Sequence, residues 1–190
     1  MPTANAVGFF IDKCRAMSRS VETHPHAAFI PQHPEYLILG SFPGKDQTGS
    51  FADENKWFYG APRNQFWKIL ELVYGRELRT KQQKQELFKN AHIGITDIIR
   101  SCIRINGTNL DENLEVKEYN IETIERILKE HHPKVLFTSR FVEKLIRKFF
   151  KDYKNIALLP SPSPRYFRLT IAQKAEIYKE KLPELKGFTD

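Results

Sequence analysis

The chain has 190 residues, enough for one domain with its own core and too few for two of ordinary size. Hydrophobic residues make up 41%, with 14 Phe and 7 Tyr among them, which argues against a disordered chain. Lys and Arg number 30 against 23 Asp and Glu, and the formal charge of +7 favours DNA or RNA as partner.

Cys14 and Cys102 match no zinc or iron–sulfur spacing. The expectation is two ordinary thiols in a reducing compartment, with no cofactor and no metal. No basic segment followed by an apolar run opens the chain, and nothing approaches the roughly 18 apolar residues of a membrane span. A cytoplasmic monomer without a membrane partner is therefore expected.

In chain order, Val7, Phe10, Ile11, Cys14 and Met17 recur at helical spacing and predict an N-terminal helix. Residues 24–34 are too rich in proline to continue it, and His24, His26 and His33 read there as solvated loop residues. Tyr36 to Leu39, closed by Gly40, predicts a buried parallel strand. Residues 64–74 predict a helix with Phe66, Trp67, Leu70 and Val73 on one face and Gly75 as its C-cap. A more polar helix follows over 81–90, then a strand and its exit over 93–99, with Asp97 near the exit. Residues 120–130 predict a helix capped by Asn120, and 135–137 a strand. A helix over 141–150, a fourth strand over 156–159 and a closing helix over 170–181 complete the pattern. Strands alternating with helices predict the α/β class: a three-layer α/β/α sandwich around a central, mainly parallel four-stranded sheet, in a single domain.

Ligand sites in such sheets lie beyond the carboxyl ends of the strands, so the loops there carry the functional reading. After the first strand comes Gly40-Ser41-Phe42-Pro43-Gly44, whose two glycines allow close backbone approach and whose amides face outward. A second loop brings Phe58 and Tyr59 near Arg63 and Asn64, combining stacking surfaces, a cation and an amide. Asn64 also stands where a helix N-cap belongs, and capping alone accounts for an Asn there. After the fourth strand, Pro160-Ser161-Pro162-Ser163-Pro164-Arg165-Tyr166 forms a stiff, extended loop with hydroxyls, amides and a guanidinium for phosphate. Asp97 is read as a structural carboxylate that could also assist. No lysine in these loops is placed as a Schiff-base nucleophile.

Taken together, Leu37-Ile-Leu-Gly-Ser-Phe-Pro-Gly44, Tyr59-Gly-Ala-Pro-Arg-Asn-Gln-Phe-Trp67 and Leu159-Pro-Ser-Pro-Ser-Pro164 resemble the uracil-DNA glycosylase superfamily in order and spacing. The nearest likeness is to its hypoxanthine-DNA glycosylase branch, and it runs from about Tyr36 to Leu182. The most specific segment is Pro62-Arg-Asn-Gln-Phe-Trp67. The chain departs from the family at three points. Mismatch-specific members carry Asn where this chain has Phe42, other branches carry His at Leu159, and the nearest branch carries His at Ala61.

The resemblance implies a DNA glycosylase of base excision repair that flips a damaged, deaminated base out of the helix and hydrolyses its N-glycosidic bond. Asn64 matches the catalytic Asn of the nearest branch and would hold the attacking water. Gly40, Ser41, Phe42, Pro43, Gly44, Phe58 and Tyr59 are read as the base pocket, with the three aromatic rings sandwiching the base. Arg63, Ser161, Ser163, Arg165 and Tyr166 are read as DNA contacts, and DNA carrying a damaged or mismatched base is the expected partner. The alternative is a nucleic-acid-binding protein without catalysis on the same scaffold, a reading drawn from Phe42 and Leu159.

Overall fold

Apolar strand runs that can be buried on both faces need helices on both sides, and the computed structural model, which describes residues 20–48 and 56–185, has that arrangement. In chain order the elements are β1 (Val21–Thr23), β2 (Tyr36–Gly40), α1 (Phe66–Tyr74), α2 (Lys81–Asn90), β3 (Ile93–Asp97) and β4 (Ile99–Arg104). Then follow β5 (Leu114–Tyr119), α3 (Ile121–His131), β6 (Lys134–Phe137), α4 (Arg140–Phe149), β7 (Ile156–Leu158) and α5 (Ile171–Lys179). The helix expected from Val7 to Met17 lies outside the described residues, as does Cys14.

The central sheet has the order β3-β2-β6-β7, and every pairing in it is parallel. Its four strands are those expected from the apolar runs. Alternation along β2 explains the layers: Ile38 faces a cluster with Phe66, Ile69, Leu87, Phe88 and Tyr178, contributed by α1, α2 and α5. Leu37 and Leu39 face the opposite cluster, with Ile124, Leu128, Val142 and Ile146 from α3 and α4. All of these side chains lie fully or almost fully out of solvent.

Local chemistry sets the helix limits. Gly75 ends α1 with φ 62, a left-handed conformation that glycine adopts without strain. Thr80 opens α2 and Thr170 opens α5, each in a capping box with a Gln three residues on. The expected cap at Asn120 does not form. Its Nδ2 donates instead to Thr96 Oγ1 and to the Asp97 carbonyl, tying the start of α3 to the end of β3.

The expectation of one sheet also needs correction. A second, antiparallel sheet of order β1-β4-β5 leaves the end of β3 through Ile98 alone and packs Ile99 and Cys102 into the α3/α4 cluster. Register shifts between Ile99 and Cys102 break the regular alternation in β4, which masks the strand in the sequence. Among the described residues, no helix is long and apolar enough to cross a membrane.

Candidate active site

The carboxyl ends of the parallel strands open onto a cavity of about 880 Å³. It brings together Gly40 from β2, Asp97 from β3, Thr138 and Ser139 after β6, and Ser161 to Tyr166 after β7. Tyr59, Arg63 and Asn64 also line it, as does the turn Asn109 to Asp111 between β4 and β5. Every sequence-expected site residue lines this cavity except Phe58.

Phe58 is 1% exposed and packs against the rings of His24, His26 and Trp57. Its carbonyl accepts from Trp67 Nε1 at 2.8 Å, so it belongs to the core and cannot stack on a base. Tyr59 does line the cavity, at φ 56, a left-handed backbone that a bulky residue adopts only when its surroundings impose it. One face of its ring is stacked on Phe66 at 4.1 Å, and its hydroxyl hydrogen-bonds Thr138 Oγ1 at 3.1 Å. Burial, with the Asp97 charge adding to it, pushes the phenol well above its ordinary range and keeps it neutral. Phe42 also lines the cavity, set edge-on to His24.

Asn64 stands both at the start of α1 and in the cavity lining. Its Oδ1 accepts from Phe66 N–H at 2.9 Å at the start of α1, and its side chain lines the cavity. The capping bond fixes the amide orientation, and Oδ1 retains a second lone pair for a water.

The loop after β2 is held from several directions. Gly40 and Ser41 carbonyls accept from Ile98 and Ile99 N–H. Arg104, with its side chain 3% exposed, donates to Pro43 O at 2.9 Å and forks onto Glu22. Buried Gln47 turns its amide oxygen toward the N–H groups of Gly60 and Ala61, joining this loop to the one before α1. Residues as far apart as Glu22, Gln47 and Arg104 carried no local signal for this task.

The histidine segment is corrected most. His24 is buried, and its Nε2 lies 2.9 Å from Asp97 Oδ2, both side chains 8% exposed. His26 is pulled down to about 4 by burial, with the nearby His24 charge adding to it, so it stays neutral in the core. Only His33 is exposed. Asp97, expected as a structural carboxylate that could also assist, is paired with His24 and also lines the cavity. A Cβ on Gly40 would stand 2.1 Å from its Oδ1, so glycine at position 40 is what admits this carboxylate to the cavity floor. Asp111, which no motif marked, also lines the cavity and accepts from Ser139 Oγ at 3.1 Å.

In the Ser-Pro loop, Ser161 Oγ accepts from Ser163 N–H and Ser163 Oγ from Arg165 N–H. Two amides expected to be free for phosphate are thus engaged, while the hydroxyl hydrogens remain to donate. The loop docks on α1 through Gln65 N–H to Pro162 O at 2.9 Å. Lys174, fully buried, donates to Gln65 Oε1 and lies 5.3 Å from the Tyr166 ring, which it supports from beneath. Beyond Tyr166, Phe167 is 88% exposed, an apolar ring that the sequence reading passed over. Leu159 is 1% exposed in the core and does not reach the cavity. Among the described residues, no three His, Cys, Asp or Glu side chains are grouped to hold a metal ion.

The parallel sheet thus has a cavity at its carboxyl edge, lined by Gly40 to Gly44, Asn64 and a Ser-Pro loop. Residues 27–185 match the uracil DNA glycosylase superfamily, and the chain belongs to it. The hypoxanthine DNA glycosylase of Methanosarcina barkeri is 29% identical over 113 residues, 58% of this chain and 67% of that protein. The hypoxanthine DNA glycosylase of Methanosarcina acetivorans is 28% identical over 79 residues, 40% of this chain and 47% of that protein. In fold, the chain is similar to the solution NMR structure of a candidate uracil DNA glycosylase from Methanosarcina acetivorans. The TM-score is 0.63 at 21% identity, over 85% of this chain and 98% of that one.

Proposed function

We propose that this protein is a monofunctional DNA glycosylase that extrudes a deaminated base, hypoxanthine in preference to uracil, and hydrolyses its N-glycosidic bond with water. The observation that carries the reading is the pairing, in one cavity, of the Asn64 amide with the Asp97 carboxylate beside Gly40. Deamination converts a ring-nitrogen acceptor into an N–H donor, as at N1 of hypoxanthine. A carboxylate on the cavity floor accepts from that N–H and repels the N1 lone pair of adenine. Asn64 holds the water, and because an amide is too weak a base to deprotonate it, the contribution is positioning against an oxocarbenium-like centre. The names of the two curated relatives support the same substrate class. Phe42, standing where other branches have a water-positioning amide, favours the second reading of a binder without catalysis.

Duplexes carrying uracil, hypoxanthine, xanthine or mismatched thymine, treated with alkali after incubation, test this. Hypoxanthine should be released fastest, with no strand break before alkali. Uracil released as fast as every purine lesion defeats the branch assignment, and tight lesion binding without any release leaves the binder.

Phe167 supplies a further expectation. An 88% exposed ring between Arg165 and Arg168, beyond a stiff loop at the cavity rim, suits a wedge that fills the gap left by the extruded nucleotide. Unstacking a base is worth a few kcal/mol, so Phe167→Ala should slow release from duplex DNA by roughly 10-fold or more while sparing single strands. Equal loss on both substrates removes the wedge role.

A further inference from the structure

Among the described residues two carboxyl groups, Asp97 and Asp111, line the cavity, and the water-holding role of Asn64 uses neither. Their surroundings differ. Asp97 places Oδ2 against His24 Nε2 at 2.9 Å, while Oδ1 lies over the bare Cα of Gly40 with no hydrogen-bond partner among the described residues. The His26 N–H, 3.0 Å from His24 Nδ1, makes that nitrogen an acceptor and leaves the ring proton on Nε2. A doubly protonated ring turns Nδ1 to His26 O at 2.8 Å instead, and in both forms Nε2 donates to Asp97.

Asp111 lines the same cavity. Ser139 Oγ and Ser41 hydrogen-bond it, and these contacts favour its anion. Burial acts more strongly the other way, the Asp97 charge adds to it, and the carboxyl is held above the ordinary carboxylate range. Of the two, Asp111 is the carboxyl whose surroundings favour its protonated form, the form an acid needs.

We propose that Asp111 is the general acid of the reaction, delivering its carboxyl proton to a ring nitrogen of the departing purine. This rests on the glycosylase reading above and extends it. The C1′–N9 bond breaks and its electron pair stays on N9, while the Asp111 proton passes to N7, so hypoxanthine leaves neutral. The water held at Asn64 forms the new C1′–O bond. The proton that water loses returns through solvent to the Asp111 carboxylate and restores the acid, so no further reactant is required. Leu159, buried in the core, offers no side-chain donor for the leaving base, and Asp111 fills that need from the cavity lining. Uracil has no imidazole nitrogen to receive the proton and gains less, in keeping with a purine substrate.

The ionisable groups around Asp111 are Asp97 from β3 with His24 behind it, and Tyr59 from the loop before α1. Arg104 and Lys45 engage Asn109 two residues away, and Glu112 beside it is exposed.

The test is single-turnover release of hypoxanthine by the full chain from about pH 5 to 9, where the acid must be protonated to act. The wild-type rate should fall along an alkaline limb. Asp111→Asn should lower the plateau on the order of 10²-fold and abolish the limb, and Asp111→Glu should restore part of both. Asp97→Asn removes the neighbouring negative charge, which makes Asp111 ionise more readily, so the limb should move to lower pH. A limb that survives Asp111→Asn, or one that Asp97→Asn leaves in place, overturns the proposal. If the wild type releases no base at any pH, the glycosylase reading has failed separately. The carbon-13 titration of the Asp111 carboxyl, assigned by its loss in Asp111→Asn, then decides. Titration above the ordinary carboxylate range supports the acid, and ordinary titration overturns it.

Discussion

Asn64→Ala should slow base release on the order of 10²-fold or more while lesion DNA still binds, because phosphate contacts supply most of the affinity. The residue also accepts from Phe66 N–H at 2.9 Å, so the same change removes a helix cap and should cost about 1 kcal/mol of stability. The two effects are separable. Asn64→Asp keeps an oxygen to cap α1 but sets a charge where an amide faced the substrate. It should retain the melting temperature and lose the rate. Single-turnover release on pre-bound DNA, with a melting curve for each variant, measures both. A destabilised Asn64→Ala that excises at the wild-type rate would reduce Asn64 to a cap.

Arg104→Met should produce the largest loss of stability, about 3 kcal/mol, since it breaks a pair whose side chains are 3% and 17% exposed. The guanidinium joins Glu22, the Pro43 carbonyl, the Thr108 carbonyl and Asn109 Oδ1, so its removal takes a donor from four acceptors. The pH dependence follows from Glu22. Burial pushes its carboxyl up, but hydrogen bonds from Arg104 and Thr48 and the charges of Arg104 and Lys45 outweigh that and hold it below the usual range. A depressed folded-state value means stability present above the unfolded value and lost as pH falls through the folded one. The gap between wild type and Arg104→Met in urea denaturation should therefore narrow in acid. The loop from Gly40 to Gly44 should loosen as well, lowering base release. A variant with the wild-type midpoint at neutral pH would show that the other contacts hold this loop unaided.

The parallel sheet was legible because its four strands, buried on both faces, are written as short apolar runs. Gly75 and the Asn64 region were legible because turn and cap chemistry is local. The antiparallel sheet was not, since β1 is three residues long and β4 carries register shifts. Within the site, the loops after β2 and β7 and the residues before α1 announced themselves by unusual composition. Phe58 was misassigned because adjacent aromatics look alike in sequence. Only the positive φ of Tyr59 turns one ring to the cavity and the other to the core.

The sequence by itself therefore determined the α/β class, the edge of the sheet where the cavity opens and the place of Asn64, because each depends on residues close in the chain. Only the tertiary structure decided the rest. It took His24 out of a proline-rich segment and set it on Asp97, 73 residues away. It brought Asp111 to the cavity lining and placed Leu159 in the core. Which carboxylate is buried, which histidine it meets and which ring faces a ligand depend on packing between distant segments, and no local pattern encodes them.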